Sequence, residues 1–167
     1  MPTGPVLRVG NGFDVHASGN TTRRPLVLCG ATIPNAPGLL GHSDADAGYH
    51  AVADALLGAA ALGDLGSRFG VDRPELSGAD SAHLLAAVVA DVAAAGWAVG
   101  NVDVTIVAQR PRLAGHREAM RRNLARVLHL DLRAVSVKFT TTDHLGALGR
   151  GEGVLALAAC LLVARQG

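Results

Sequence analysis

The chain has 167 residues, and its fifteen Lys and Arg residues nearly balance fourteen Asp and Glu residues, for a formal net charge of +1. This balance and an aromatic content of 3% argue against a nucleic-acid partner and against a polybasic membrane anchor. No apolar run reaches the length of a membrane span, and Cys29 and Cys160 lie outside any CxxC motif. We therefore expect one cytoplasmic domain over residues 1–167, with residues 1–5 flexible.

Hydrophobic periodicity and turn residues predict an alternation of strands and helices. The predicted elements are strands over 6–16 and 25–30, a Pro- and Gly-interrupted loop over 34–41, helices over 46–62 and 80–96 separated by a polar loop, a strand over 99–109, a helix over 117–130, and strands over 135–142 and 154–164. The first two strands are expected to pair across the turn between them. Ser43 or Asp44 is expected to cap the first helix.

This order predicts an α/β (α+β) sandwich, in which a mixed β-sheet carries helices on one face. The last strand contains the run LALAACLLVA, which has little polar alternation. Both faces of this strand are therefore expected to be covered. Helices can cover one face, and a second copy of the protein would cover the other, so the sequence also predicts a homo-oligomer.

Two short patterns indicate a metal site. Asp14 and His16 project from one face of the first strand, but such a triplet alone is more often a capping Asp beside a half-exposed His. Asp46, His50 and Asp54 share one helix face in an apolar surround, which predicts that the two carboxylates hold the His50 ring by hydrogen bonds. Asp14, His16 and His50 would give zinc three ligands and leave one position open, as in catalytic sites. A solvated or capping set of charges is the alternative.

A second candidate site follows the strand that ends near Thr142. Hydroxyls from three consecutive threonines and backbone N–H groups of a glycine-rich segment suit phosphate oxygens. Asp143 could hold a hard cation such as Mg²⁺, or it could only cap the following turn. Arg150 and Glu152 lie nearby in the sequence and could simply pair with each other.

Six sequence blocks, GFDVHA, GHSDAD…H, DALLGAAALGDLG, GADS, GNVDVTIVAQ and TTTD…GRGEG, occur in this order between about residues 8 and 164. Together they resemble the 2-C-methyl-D-erythritol 2,4-cyclodiphosphate synthase family. The resemblance implies conversion of 4-diphosphocytidyl-2-C-methyl-D-erythritol 2-phosphate to the 2,4-cyclodiphosphate and CMP, in the non-mevalonate isoprenoid precursor pathway. It also implies a homotrimer with its sheets around the threefold axis and active sites between adjacent subunits.

The resemblance assigns roles to individual residues. Zinc is expected on Asp14, His16 and His50, and Mg²⁺ or Mn²⁺ on Asp143. His42 and Thr141 are expected to stabilise the transition state. An isoprenoid diphosphate is expected in the trimer-axis cavity at Arg150 and Glu152. The expected substrate contacts are Asp14, His16, His42, Ser43, Asp64, Gly66, Ala108, Arg112, Leu113, Ala114, Thr140, Thr141, Thr142, Asp143 and Arg150, and the segment from Ala108 to Ala114 is expected to form the cytosine pocket of the neighbouring subunit.

The chain departs from the family pattern at four places. Residues 69–74 read FGVDRP where the family often has FPDTDP, Asp143 stands where Glu is common, Arg112 replaces a Lys, and Ala147-Leu148 replaces a more frequent aromatic-or-Leu and Thr pair. Two other functions fit the metal pattern: a zinc phosphohydrolase, and a non-catalytic trimer that binds isoprenoid diphosphates around a structural zinc. His42, Thr141 and the cytosine-pocket segment favour the synthase over both.

Overall fold

The computed structural model describes residues 6–19, 24–41, 43–70 and 80–165. Residues 1–5, predicted to be flexible, and residues 71–74 of the altered loop lie outside them. The elements are β1 (Leu7–Ala17), β2 (Pro25–Leu28), β3 (Ala31–Pro37), α1 (Ala47–Ala60), α2 (Leu65–Phe69), α3 (Ser81–Ala94), β4 (Trp97–Val107), α4 (Arg117–Leu128), β5 (Val135–Thr140), α5 (Gly146–Gly149) and β6 (Gly153–Ala164). None of the helices in the described ranges has both the length and the apolar character needed to cross a membrane.

The main sheet has four strands in the order β1-β6-β4-β5. β6 pairs antiparallel with β1 and with β4, whereas β4 and β5 are parallel. Helices α1, α3 and α4 pack on one face of this sheet. The predicted α/β architecture, a mixed sheet with helices packed against it, is therefore confirmed.

The predicted pairing of the first two strands is wrong. β1 pairs with β6, and β2 pairs with β3 in a separate two-stranded sheet. Cys29 and Gly30, with φ angles of 46° and 69°, form the tight turn between β2 and β3. The predicted loop over 34–41 is also shorter than expected, because β3 continues through Pro34 to Pro37. A proline is tolerated there because a two-stranded ribbon leaves an edge without partners.

Helix α1 lies unusually close to β1. A Cβ atom on Gly12 would lie 1.8 Å from the Ala51 carbonyl oxygen, and one on Gly10 would lie 2.0 Å from the Ala55 carbonyl oxygen. Neither distance is possible for a real side chain, so both positions require glycine. The backbones of strand and helix are therefore in direct contact, with only small residues between them.

Asp46 caps the N-terminus of α1, rather than the predicted Ser43 or Asp44. Its carboxylate is fully buried and accepts hydrogen bonds from the backbone N–H groups of Tyr49 at 3.1 Å, Cys29 at 2.7 Å and Gly30 at 2.6 Å. Two of these donors belong to the β2–β3 turn. The cap thus also fixes the small hairpin against the start of the helix.

The face of the sheet opposite the helices is open and apolar. Leu7, Val9, Phe13 and Val15 on β1 and Leu157 on β6 are between 44% and 75% exposed. The register places Phe13 directly beside Leu157 and Val9 beside Leu161, so these side chains form a continuous surface. Among the described residues of one chain, helices cover one face of β6 and the other face is open.

The contact between α1 and β1 generates a prediction for Gly12. Replacing Gly12 with Ala should lower the free energy of unfolding by about 1–3 kcal/mol or more, because the methyl group must push the helix away from the strand. Gly58 is the matched control, since it is an exposed helical glycine in α1 with no atom within 4 Å of an added Cβ. Gly58→Ala should raise the free energy by up to about 1 kcal/mol through helix propensity. Urea denaturation measures both, and equal stability of the two variants would contradict the proposed contact.

Candidate functional site

The three predicted metal ligands meet where β1 passes the first turn of α1. His16 Nε2 lies 2.9 Å from Asp14 Oδ2, and His50 Nδ1 lies 3.3 Å from the same oxygen. The two histidine nitrogens are 3.2 Å apart. One ligand atom from each residue therefore lies within 4.8 Å of the others, in a group that could hold a metal ion.

The orientation of the His16 ring is fixed by the backbone. Its Nδ1 lies 2.8 Å from the carbonyl oxygen of Leu40, which can only accept a hydrogen bond. Nδ1 therefore carries the hydrogen, and the lone pair of Nε2 points towards Asp14 and His50. A metal-binding histidine is commonly held in this way by a carbonyl group on its other nitrogen.

His50 is held by two hydroxyl groups. Its Nε2 lies 3.2 Å from Ser43 Oγ and 3.0 Å from Ser81 Oγ, which leaves Nδ1 facing the other two ligands. The prediction that Asp46 and Asp54 hold this ring is wrong. Asp46 caps the helix, and Asp54 accepts a hydrogen bond from the backbone N–H of Leu65 at 2.8 Å.

Charge within the triad is complementary. Burial alone would raise the pKa of Asp14, but hydrogen bonds and attraction from His16 and His50 outweigh it and lower the pKa to about 2. Burial would lower the pKa of His16, but Asp14 outweighs it and raises that pKa above its ordinary 6.5. Without metal, the Asp14 contribution to stability is present above pH 3.8 and is lost as the pH falls through about 2. The His16 contribution is fully present below pH 6.5 and is lost as the pH rises through the raised value.

The donor set fits a divalent transition metal. It consists of one carboxylate oxygen and two imidazole nitrogens, His16 Nε2 and His50 Nδ1. In each ring the other nitrogen is hydrogen-bonded outside the triad, so the lone pairs of these two nitrogens face inwards. Zinc binds these donors, and three protein ligands leave a coordination position for a substrate oxygen. The side chains of Asp14, His16 and His50 retain 23%, 18% and 14% exposure, so the group lies at the surface of the single chain.

A second candidate site lies at the carboxyl ends of β4 and β5. These strands are parallel and are joined through α4, and the carboxyl ends of parallel strands are common ligand sites. A pocket of about 300 Å³ opens there. Its lining residues are Ala108, Gln109, Pro111, Arg112, Leu113, Ala114, Arg117, Phe139, Thr140 and Thr141.

This pocket brings together eight residues that the sequence analysis predicted, those at positions 108, 109, 111–114, 140 and 141. Arg117 and Phe139 were not predicted. The guanidinium of Arg117 lies 5.3 Å from the centre of the Phe139 ring. Their meeting depends on how α4 packs on β5, which no local sequence pattern indicates.

The turn after β5 is held by hydrogen bonds of its threonines. The Thr141 hydroxyl accepts from the backbone N–H of Asp143 at 3.2 Å, and the Thr142 hydroxyl donates to the carbonyl of Leu145 at 2.7 Å. The N–H of His144 donates to Gln109 Oε1 at 3.1 Å, which ties the turn to the pocket. The Asp143 carboxylate is exposed, and its contact with the Thr141 hydroxyl is long, at 3.5 Å.

Arg150 and Glu152 form an exposed ion pair with an N–O distance of 2.6 Å, as the simpler alternative in the sequence analysis anticipated. Both line a different cavity, of about 420 Å³, together with Arg110 and residues of the β2–β3 hairpin. This cavity shares no lining residue with the metal triad. Because Arg150 and Glu152 are paired, their charges partly neutralise each other where they line this cavity.

The remaining predicted substrate contacts are His42, Asp64 and Gly66. His42 lies outside the described residues, directly before Ser43. Asp64 caps the short helix α2, where its carboxylate accepts from the N–H of Ser67 at 2.7 Å, and Gly66 lies within that helix. The bond from Leu65 to Asp54 ties α2 to α1 one turn beyond His50.

A carboxylate–imidazole triad that could hold a metal ion, on an α/β fold that also carries a separate pocket, is an arrangement typical of metal-dependent enzymes. The family model described as the YgbB family matches residues 7–163. Proteins named 2-C-methyl-D-erythritol 2,4-cyclodiphosphate synthase from Chromobacterium violaceum and Burkholderia mallei are 55% and 54% identical to this chain over 157 residues, which is 94% of the chain and 98% and 96% of those proteins. The chain belongs to the YgbB family of 2-C-methyl-D-erythritol 2,4-cyclodiphosphate synthases.

Solved structures show the same fold. The bifunctional IspDF from Campylobacter jejuni matches with a TM-score of 0.92 at 39% identity, covering 96% of this chain and 43% of that one. This chain thus spans less than half of the bifunctional protein. IspF from Plasmodium falciparum, in a complex with CDP, matches with a TM-score of 0.84 at 31% identity, covering 96% of this chain and 97% of that one.

The coupling between Asp14 and His16 generates a prediction for the metal-free protein. Asp14→Asn should lower the pKa of His16, because the hydrogen-bonded negative charge that raises it is removed while the shape is kept. The titration of the His16 ring protons by NMR measures this pKa in the parent and the variant. Circular dichroism of the parent and the variant provides the control that the fold is unchanged. An unchanged His16 titration would show that the pair is not formed in solution.

Proposed function

We propose that the chain, as a single catalytic domain, converts 4-diphosphocytidyl-2-C-methyl-D-erythritol 2-phosphate to 2-C-methyl-D-erythritol 2,4-cyclodiphosphate and CMP. The observation that carries this proposal is the Asp14–His16–His50 triad in a chain 55% identical to named synthases over nearly its whole length. The product is a precursor in the non-mevalonate isoprenoid pathway. The enzyme is a lyase that acts on a phosphorus–oxygen bond.

The proposed reaction is an intramolecular phosphoryl transfer. An oxygen of the 2-phosphate attacks the β-phosphorus of the diphosphate, the bond from that phosphorus to the bridging oxygen breaks, and CMP leaves with that oxygen. The substrate supplies both the nucleophile and the leaving group, so the protein needs no covalent nucleophile. Its task is to hold the two phosphate groups in line and to neutralise their charge.

Zinc is the metal we propose for the triad, held by Asp14 Oδ2, His16 Nε2 and His50 Nδ1. Bound there, it supplies a Lewis acid for phosphate oxygens. The chain's own groups prepare the site: Leu40 and the two serine hydroxyls orient the imidazoles, and the depressed pKa of Asp14 keeps its carboxylate ionised at neutral pH. Ser43 and His42, which follow Leu40 and Gly41, would contact the sugar phosphate, with Asp64 and Gly66 contacting the sugar.

The 300 Å³ pocket is the proposed cytidine site. Its volume suits a small ligand, and backbone groups around Ala108 and Ala114 with the Arg112 side chain would surround the base. The similarity to a CDP-bound relative supports a cytidine nucleotide as the ligand. Thr140 and Thr141 lie on the wall of this pocket, so their hydroxyls would meet the diphosphate that extends from the nucleoside.

Asp143 is the proposed ligand of a second ion, Mg²⁺ or Mn²⁺. The hydroxyl groups of Thr141 and Thr142 already make the side-chain hydrogen bonds that hold the turn. The Asp143 carboxylate is exposed beside them and is free for another role. Mg²⁺ usually takes one or two carboxylates together with substrate phosphates. An ion held there by Asp143 would neutralise charge on the substrate diphosphate. Asp143 is one methylene group shorter than the Glu that is common in the family.

A homotrimer is the proposed assembly, with the open faces of the three sheets around the threefold axis. The exposed apolar side chains of β1 and β6 support this arrangement, because such a patch is rare on a monomer. Assembly would also bring the cytidine pocket of one subunit to the metal triad of the next, so that each active site takes residues from both. Arg150 and Glu152 would then flank a cavity on the axis that can take an isoprenoid diphosphate.

Turnover of the cytidine substrate with zinc and magnesium tests the function. The parent should release CMP and the cyclic diphosphate, identified by phosphorus NMR. His50→Ala should lose at least about 100-fold in rate and most of its zinc, because two protein ligands hold zinc poorly.

Asp143→Asn should keep its zinc but need more Mg²⁺ for half-maximal rate, because one charge is removed from the second site.

The outcomes separate the candidate functions. Release of inorganic phosphate in place of the cyclic product would identify a zinc phosphohydrolase. Zinc binding without any turnover would favour the non-catalytic trimer that binds isoprenoid diphosphates. Full activity of a zinc-free His50→Ala protein would contradict the assignment of the metal triad.

The assembly has a test of its own. Phe13→Asp places a charge in the middle of the open apolar face and should convert the trimer to monomers, as measured by light scattering. Ala90→Asp, at an exposed position of α3 on the helix side of the sheet, controls for the added charge and should leave the mass unchanged. A parent protein that is monomeric and active would rule out the shared active site.

A further inference from the structure

Ser81 lies behind the metal triad, on the side of His50 that faces away from the other two ligands. It is the first residue of α3, and its side chain is only 1% exposed. Its hydroxyl oxygen lies 3.0 Å from His50 Nε2. Neither the sequence motifs nor the proposed substrate contacts give this residue a function.

The hydrogen of the Ser81 hydroxyl has a defined direction. The Ser81 hydroxyl is hydrogen-bonded to Asp44 Oδ1, and Asp44 Oδ2 accepts a hydrogen bond from the backbone N–H of Ser81 at 3.2 Å. A carboxylate can only accept hydrogen bonds, so the Ser81 hydroxyl must donate to Asp44. The lone pairs of Ser81 Oγ are then left to face His50.

This direction determines which nitrogen of His50 carries the hydrogen. With an acceptor 3.0 Å away, Nε2 is the nitrogen that should be protonated, and Nδ1 keeps its lone pair. Ser43 Oγ lies 3.2 Å from the same nitrogen and accepts from the backbone N–H of Ala45. The hydrogen of the Ser43 hydroxyl has Ser81 Oγ, 3.4 Å away, as a partner other than His50.

The alternative tautomer would compete with the metal. If Nδ1 carried the hydrogen, it would donate to Asp14 Oδ2, which lies 3.3 Å away, and form a satisfied His–Asp pair. A metal ion would then have to displace this hydrogen and break the pair before binding. The arrangement of Asp44 and Ser81 disfavours that state by requiring the hydrogen on the opposite side of the ring.

We propose that Ser81, oriented by Asp44, is a positioning residue that holds the hydrogen of His50 on Nε2 and keeps Nδ1 available as a metal ligand. The inference rests on the proposed metal site and extends it to a residue of α3. Outer hydrogen-bond partners of metal-binding histidines typically contribute 10- to 100-fold to metal affinity.

The test uses the full chain with Ser81→Ala, which removes only the hydroxyl. The helix start should survive, because Asp80 still caps α3 through the N–H of Ala82 at 2.8 Å. Zinc affinity, measured by competition with a chromophoric chelator, should fall about 10- to 100-fold. Ser136→Ala, at an exposed serine of β5, is the matched control and should leave the affinity unchanged.

A second readout needs no metal. In protein labelled with ¹⁵N at the histidine rings, the chemical shifts should place the hydrogen of His50 on Nε2 in the parent, and Ser81→Ala should increase the fraction with the hydrogen on Nδ1. Asp44→Asn should also increase the fraction with the hydrogen on Nδ1. The amide can donate to the Ser81 oxygen, and the Ser81 hydroxyl can then donate to His50 Nε2. Circular dichroism confirms that each variant is folded.

The outcomes separate this inference from the proposed function. Parent-like zinc affinity and an unchanged His50 tautomer in folded Ser81→Ala would overturn the positioning role, while the metal site and the synthase activity would stand. A parent that binds no zinc at the triad would overturn both the proposed metal site and the role of Ser81. Weaker zinc binding together with the tautomer shift supports it.

Discussion

The direct backbone contact between α1 and β1 is the constraint on which the metal site depends. Asp14 and His16 belong to the strand and His50 to the helix, yet their ligand atoms lie about as close as hydrogen-bonded neighbours. This is possible because Gly10 and Gly12 allow helix carbonyls to touch the strand. Metal–ligand distances tolerate changes of only about 0.2 Å, so a helix one methyl group further away would no longer complete the triad. A packing feature of the core therefore fixes the chemistry at the surface.

The sequence analysis grouped Asp14, His16 and His50, and the structure brings these three side chains together, but the residues that orient them were not predicted. The two-residue spacing on a strand places Asp14 and His16 on one face, whereas the approach of His50 depends on how α1 packs against β1. The partners of His50 depend on what packs against the helix. Asp46 shares its helix face but is taken by the N–H groups of the β2–β3 turn, whereas Ser81 comes from a distant helix. Spacing alone indicates a shared face and cannot indicate which neighbour reaches it.

A similar limit applies to the fold and the pocket. The types of most elements were predicted correctly, because their periodicity is strong, but the strand pairing of β1 was not. Cys-Gly is an unusual tight turn, so the hairpin that it forms was overlooked and β2 was assigned to the wrong partner. In the pocket, the predicted segment around Arg112 was recognised from its collinear motifs. Phe139 joins it through the parallel pairing of β4 with β5, and Arg117 joins it through the packing of α4 on β5. Both are contacts between distant parts of the sequence.

The position of β6 has a consequence for the order of folding. β6 is the last strand along the described chain, yet it lies between β1 and β4 in the sheet. β1 therefore has no strand partner in this sheet until nearly all of these residues have left the ribosome. Contacts between such distant segments slow folding and leave apolar strand edges unpaired during synthesis. During that interval the hydrophobic side chains of β1 have neither their strand neighbour nor any covering surface, and the nascent chain is most open to aggregation.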